Sequence, residues 1–96
     1  ALSQHERALS LRRRLFGPAH SEVAMSLNNL GVTYSALGRY AEAMEHHEQA
    51  RRLHERLLGK EHPSVGNCWL NLGQARGQAG DIAGELKAYQ QAVSYT

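Results

Sequence analysis

A single cysteine, Cys68, is all the thiol chemistry this sequence holds. That excludes an internal disulfide and any cysteine-based zinc site, and it agrees with a reducing, cytoplasmic setting. Proline is almost absent, with two residues, so long stretches are free to remain helical. No apolar run approaches the roughly 18 residues that a membrane span requires. The first residues carry no apolar core after their charges and do not read as a signal peptide. Charge of one sign is lacking too: a net charge of +2 is close to balance and gives little reason to expect nucleic acid. There is no HExxH pair and no glycine-rich phosphate loop, so neither a metal nor a cofactor is expected.

What the chain does hold is a repeat. Leu27-Asn28-Asn29-Leu30-Gly31 returns as Trp69-Leu70-Asn71-Leu72-Gly73, an offset of 42 residues. The same offset pairs Leu15-Phe16-Gly17 with Leu57-Leu58-Gly59, His20 with His62, Val23 with Val65, Gly38 with Gly80, and Gln49-Ala50 with Gln91-Ala92. A fixed period of about 20–50 residues marks a stacked array, in which each unit buries its apolar face against its neighbours. Ninety-six residues then make one small domain or a slice of a larger array. The period places residues 1–16 as the second helix of a preceding repeat, 17–58 as a complete repeat and 59–96 as a last repeat truncated at its C-terminus.

Apolar residues recur at three and four positions throughout, which predicts five helices and an all-α fold. The first covers about 2–16, with Leu2, His5, Leu9, Arg12 and Phe16 on one face. Gly17-Pro18 should stop it. The second runs from Ser21, which can cap with its hydroxyl, to Leu37, with Val23, Leu27, Leu30, Tyr34 and Leu37 inward. The third runs from Tyr40 to Leu58 on Tyr40, Ala43, Met44, His47, Ala50, Leu53 and Leu57. Its charged residues, Glu48, Arg51 and Arg52 among them, are expected outside, with Glu48 paired to Arg51 and Arg52. The fourth covers 63–79 on Val65, Trp69, Leu72, Ala75 and Ala79, with Pro63 at its first position. The fifth begins at Ile82, with Ile82, Leu86, Tyr89, Ala92, Val93 and Tyr95 inward. Gly31 lies inside a helix at a cost of about 1 kcal/mol relative to alanine, which implies close approach of the partner helix. Every connection is short, so consecutive helices are antiparallel neighbours.

Leu27, Leu30-Gly31, Tyr34, Gly38, Tyr40, Ala43 and Ala50 fill the pattern of the tetratricopeptide repeat, and Trp69, Leu72-Gly73, Gly80, Ile82, Tyr89 and Ala92 fill it again. The chain therefore resembles that family. His47 stands at its usual aromatic place, and Arg76 and Glu85 depart from it where Tyr34 and Ala43 conform. The usual repeat has about 34 residues. The longer form here, with Leu58-Gly59-Lys60-Glu61-His62-Pro63-Ser64-Val65 as its link, is similar to that of kinesin light chains and nephrocystin-3-type proteins.

The resemblance implies a right-handed superhelix, an α-solenoid, whose first helices line a concave surface that binds a peptide segment of a partner protein. Met25, Asn28, Asn29, Val32, Ser35 and Ala36 would face it, with Asn67, Leu70, Asn71, Gln74, Gly77 and Gln78 as counterparts. A carboxamide can pair with both the N–H and the C=O of a peptide backbone. Asn29 and Asn71 occupy the place that does this in related repeats and are the first candidates for ligand contact. Their alternative role is to satisfy solvent or neighbouring helix ends. Asn28, Asn67, Gln74 and Gln78 come next. Arg76 is the one basic residue available there, too few for a clamp on a C-terminal carboxylate.

Other signals point elsewhere more weakly. His46 and His47 project about 100° apart on a helix, and the histidines are expected at the surface or half-buried; His20 and His62 should hydrogen-bond near helix starts. Arg12-Arg13-Arg14 and Arg51-Arg52 admit weak nucleic-acid binding on a convex face, although solvated helix surface explains them as well. Cys68 has no activating base nearby, and no convergent acid, base and nucleophile can be placed, so no enzyme is expected. Uncapped repeat ends would leave Leu9, Phe16, Leu86 and Tyr89 partly uncovered. A structural spacer that self-associates or exchanges a helix between copies is the further reading.

Overall fold

The computed structural model describes residues 2–17 and 20–93. They form five helices: α1 (Leu2–Phe16), α2 (Ser21–Ala36), α3 (Tyr40–Leu58), α4 (Pro63–Gln78) and α5 (Ile82–Val93). Each helix packs on the next in sequence, and beyond that α2 touches α4. The stack is a slab of 37 × 30 × 14 Å. Pro18 and Tyr95 lie outside the described residues.

Equivalent local chemistry sets the boundaries of both repeats. The helix starts are capped by histidine: His20 Nδ1 accepts from the Glu22 N–H and His62 Nδ1 from the Ser64 N–H, each at 3.1 Å. The cap of α2 is therefore His20 and not Ser21, which is already helical. Pro63 begins α4, where its missing N–H leaves no intrahelical bond unmade. At the other ends, Gly38 and Gly80 have φ of 78° and 91°, a conformation that disfavours any side chain. The Arg39 N–H reaches Tyr34 O at 2.8 Å and the Gly38 N–H reaches Ser35 O at 3.0 Å; Asp81–Arg76 and Gly80–Gly77 repeat both distances. This double bond pattern satisfies the last carbonyls and turns the chain sharply into the next helix.

The core is built on α2. Val23, Ala24, Leu27, Leu30 and Tyr34 meet Leu9 of α1, Ala43, Ala50 and Leu53 of α3, and Cys68 and Ala75 of α4. Full burial of Leu30 makes Leu30→Ala worth about 2–5 kcal/mol. Alanines at 43 and 50 have no exposed surface, so the α2–α3 backbones approach closely. Gly31 completes that approach: a Cβ there would lie 2.6 Å from the His47 ring. One period on, a Cβ at Gly73 would lie 2.8 Å from the Tyr89 ring, so His47 and Tyr89 do the same packing work.

Several side chains lie elsewhere than their spacing predicts. His54, expected at the surface or half-buried, is buried at 5 % exposure, whereas His47, on the inner stripe as its spacing predicts, is buried at 1 %. Arg51 is folded inward: its guanidinium lies 4.6 Å over the Trp69 ring, paired with Glu48 and, at 2.9 Å, with Glu55, while Arg52 stays exposed. Arg12 likewise donates to Ser26 Oγ and sits 3.7 Å from Glu22, tying α1 to α2. Helix α5 turns its small residues Gly84, Ala88 and Ala92 inward and leaves Ile82, Leu86 and Val93 exposed. Leu37, Leu57 and Ala79 are exposed too, and Leu9 is buried rather than uncovered. The two departures in the second repeat are accommodated locally. The Glu85 side chain fills the space over Gly77, and Arg76 Nη1 donates to Gly84 O at 3.3 Å.

Candidate functional site

The cap geometry and the α2–α4 contact lay the outer faces of these two helices side by side. Between them run two adjoining pockets. One, of about 350 Å³, is lined by Met25, Asn28, Asn29, Asn67, Leu70 and Asn71. The other, of about 210 Å³, is lined by Val32, Ser35, Ala36, His47, Asn71, Gln74 and Gln78. Asn71 belongs to both, so they form one groove. Of the residues expected to face a ligand, all but Gly77 lie along it; Gly77 is roofed by Glu85. No acid and no lysine or arginine lines either pocket. The groove is therefore neutral, amide-rich and edged by the exposed apolar side chains of Met25, Val32 and Leu70.

The amides divide into two kinds. Asn29, Asn67, Gln74 and Gln78 are exposed and Asn71 is half-buried. The Asn29 backbone carbonyl accepts from Thr33 Oγ1 at 3.0 Å. Asn28, by contrast, is engaged inside the fold. Its Oδ1 takes the Nδ1–H of His47 at 2.9 Å, and its Nδ2 donates to Cys68 Sγ at 3.2 Å. Asn28 thus links α2 to α3 and to α4, and its carboxamide has less freedom to meet a ligand than its spacing suggests.

His47 is the residue that spacing alone did not place in the groove. Its ring projects from α3 beneath α2 and forms part of the floor of the smaller pocket. A hint lay in the repeat: a ring with hydrogen-bonding nitrogens stands where Tyr89 stands one period on. Burial, and after it the neighbouring charge of His46, lowers the His47 pKa to about 4, so the ring is neutral near pH 7. Burial also pushes the Cys68 thiol up, which keeps it protonated and a poor nucleophile. Among the described residues no three histidine, cysteine or acidic side chains cluster to hold a metal ion.

The basic side chains do not assemble a second site of comparable quality. Arg12 and Arg51 are spent on contacts within the fold. Arg52, Arg56 and Lys60 line an open hollow of about 390 Å³ with Glu55, which is itself paired to Arg51.

The family model described as "Tetratricopeptide repeat" matches residues 1–22 and 23–64. The chain belongs to the tetratricopeptide repeat family. Helices α4 and α5 repeat the same architecture beyond the matched residues. Among solved structures, the chain is similar to the crystal structure of BtubC (BKLC) from P. vanneervenii, with a TM-score of 0.92 and 21% identity. That likeness covers 98% of this chain and 37% of BtubC, so the chain spans little more than a third of that protein's length. At this identity the likeness speaks for the fold. No curated protein matches the chain. Among the described residues no helix is long and apolar enough to cross a membrane.

Proposed function

We propose that this tetratricopeptide array is a protein-interaction scaffold that holds an extended peptide segment of a partner in the α2–α4 groove. One observation carries the reading: equivalent carboxamides, Asn29 and Asn71, recur on adjacent repeats along one uncharged groove. Each can take one N–H and one C=O of an extended backbone, whatever the side chain. Specificity would then come from the pockets between them. The neutral lining favours a partner segment without a dense charge. No catalytic step, cofactor or metal belongs to this reading, and a cytoplasmic setting suits the free, buried Cys68.

The test is to screen a randomised-peptide array and map a selected peptide by amide chemical-shift changes. The reading expects shifts concentrated on α2 and α4 around Asn29 and Asn71. Shifts confined to Arg52, Arg56 and Lys60, falling away steeply with salt, would replace it with an acidic or nucleic-acid partner on the outer surface.

A second reading has its own observation. Leu11, Leu15 and Phe16 on α1 and Ile82, Leu86 and Val93 on α5 expose large apolar surface at opposite ends of the stack. Such patches mark association surfaces. Prepared alone, the chain would self-associate through them as an oligomer or helix-swapped dimer. Sedimentation showing a monomer at tens of micromolar would remove this reading without touching the groove.

A further inference from the structure

The smaller pocket is lined in part by a buried histidine ring, His47. Asn28 Oδ1 can only accept, so the hydrogen bond at 2.9 Å places the ring proton of His47 on Nδ1. With Nδ2 turned to Cys68 Sγ at 3.2 Å, Oδ1 is the amide atom that faces the ring. In a neutral ring the proton on Nδ1 leaves Nε2 as a bare acceptor. The edge bearing Nε2 lies over Gly31, where the missing Cβ leaves it room. Among the described residues, the sealed side-chain nitrogens without a partner are His54 Nδ1 and Trp69 Nε1. His47 Nε2 is not one of them, and the His47 ring is part of the lining of the smaller pocket. The ring is 1 % exposed, so the fold holds this acceptor in place.

The geometry points to this pocket as a side-chain subsite that selects a neutral hydrogen-bond donor, an Asn or Gln carboxamide or a Ser or Thr hydroxyl, from the bound segment through His47 Nε2. The inference rests on the groove being the peptide site and adds which residue the segment presents there. The chemistry excludes the alternatives. A carboxylate would meet a lone pair and no cation. A lysine or arginine would lose water without a carboxylate to offset the loss, because nothing acidic lines the pocket. An aliphatic side chain would cover Nε2 and leave a buried acceptor unpaired, a loss that discriminates strongly between ligands. Gln74, Gln78 and Asn71 can complete the partnership with a carboxamide from the walls.

The experiment pairs a randomised-peptide array with nitrogen-15 spectra of the histidine rings. On the array, the wild-type chain is compared with His47→Phe, which keeps a ring over Gly31 without the acceptor, and with Asn29→Ala/Asn71→Ala. The expected result is a preference for Asn, Gln, Ser or Thr at one peptide position. Replacing that residue by an apolar isostere should weaken wild-type binding at least tenfold and His47→Phe binding by far less. A peptide that depends on Asn29 and Asn71 but shows no such preference, or keeps it in His47→Phe, overturns the subsite and leaves the groove reading standing. Binding indifferent to both asparagines overturns both. The spectra need no variant: a His47 with Nε2 unprotonated is expected, and a proton found on Nε2 overturns the subsite whatever the array shows.

Discussion

Replacing Gly31 by alanine sets two opposed effects against each other at one atom. In a helix interior alanine is favoured over glycine by about 1 kcal/mol, so the substitution should stabilise α2 if nothing stood nearby. The new Cβ would lie 2.6 Å from both Cε1 and Nε2 of His47 and 2.8 Å from Cδ2. These are atoms of a rigid ring, held from behind by the bond to Asn28, so neither a rotamer change nor a small tilt relieves the contact. Forcing extra volume into such a site costs about 1–3 kcal/mol. Loss of the Asn28–His47 bond adds about 0.5–1.5 kcal/mol. The clash wins, and Gly31→Ala should destabilise the chain by about 1–3 kcal/mol, or roughly 5–20 °C in Tm for a domain of this size. In a His47→Ala background the obstacle is gone, and the same substitution should stabilise by up to about 1 kcal/mol. Chemical denaturation of the four members of this cycle measures both signs. An equal effect of Gly31→Ala in the two backgrounds would refute the close α2–α3 contact.

Two further outcomes follow from the buried polar groups. The folded-state pKa of His47 is lowered from 6.5 to about 4, so between these values the unfolded chain binds the proton and the folded chain does not. Stability is then complete above pH 6.5 and falls as the pH drops towards 4, by about 3 kcal/mol across the window. His54 is shifted the same way by burial and then by His62, and adds to the slope. Urea unfolding at pH 7 and pH 4.5 should show a clearly smaller loss in His47→Phe than in the wild type; identical losses would contradict the burial of a neutral ring. Arg51→Ala removes a guanidinium from the Trp69 face and the partner of Glu48 and Glu55. It should cost about 1–2 kcal/mol and change the Trp69 fluorescence, against near-neutrality for Arg52→Ala.

The repeat period and the helix punctuation made the fold readable from residues. Histidine before each first helix, Gly38 and Gly80 after it, and small residues at 43 and 50 are local requirements of geometry, and they stand where the chain turns or the backbones meet. The inward face of α5 was harder to read. Ile82, Leu86 and Val93 carry the apolar character, yet α5 packs on α4 through Gly84, Ala88 and Ala92. A helix within a stack has two apolar sides, and periodicity does not distinguish the side facing the preceding helix from the other. Arg51 differs from its expected outward place for a related reason: a charge pattern suggests solvent, but a long side chain can lay its guanidinium plane on an aromatic of the next helix. The groove residues could be named because the resemblance to tetratricopeptide repeats implies that the first helices line the concave face, on positions counted from Leu30-Gly31. What spacing did not reveal is how Asn28 divides from Asn29. Adjacent amides point in different directions, and only the packing shows that one is bound by His47 and Cys68 while the other is exposed.

The measurement that bears most directly on the scaffold reading is the affinity of an array-selected peptide for wild type and for Asn29→Ala/Asn71→Ala, with helicity checked by circular dichroism. Each asparagine is assigned two hydrogen bonds to the bound backbone, worth about 0.5–1.5 kcal/mol apiece. Their joint removal should weaken binding by at least tenfold at unchanged helicity. Unchanged affinity in the folded double variant would contradict the account and move the working surface away from the groove.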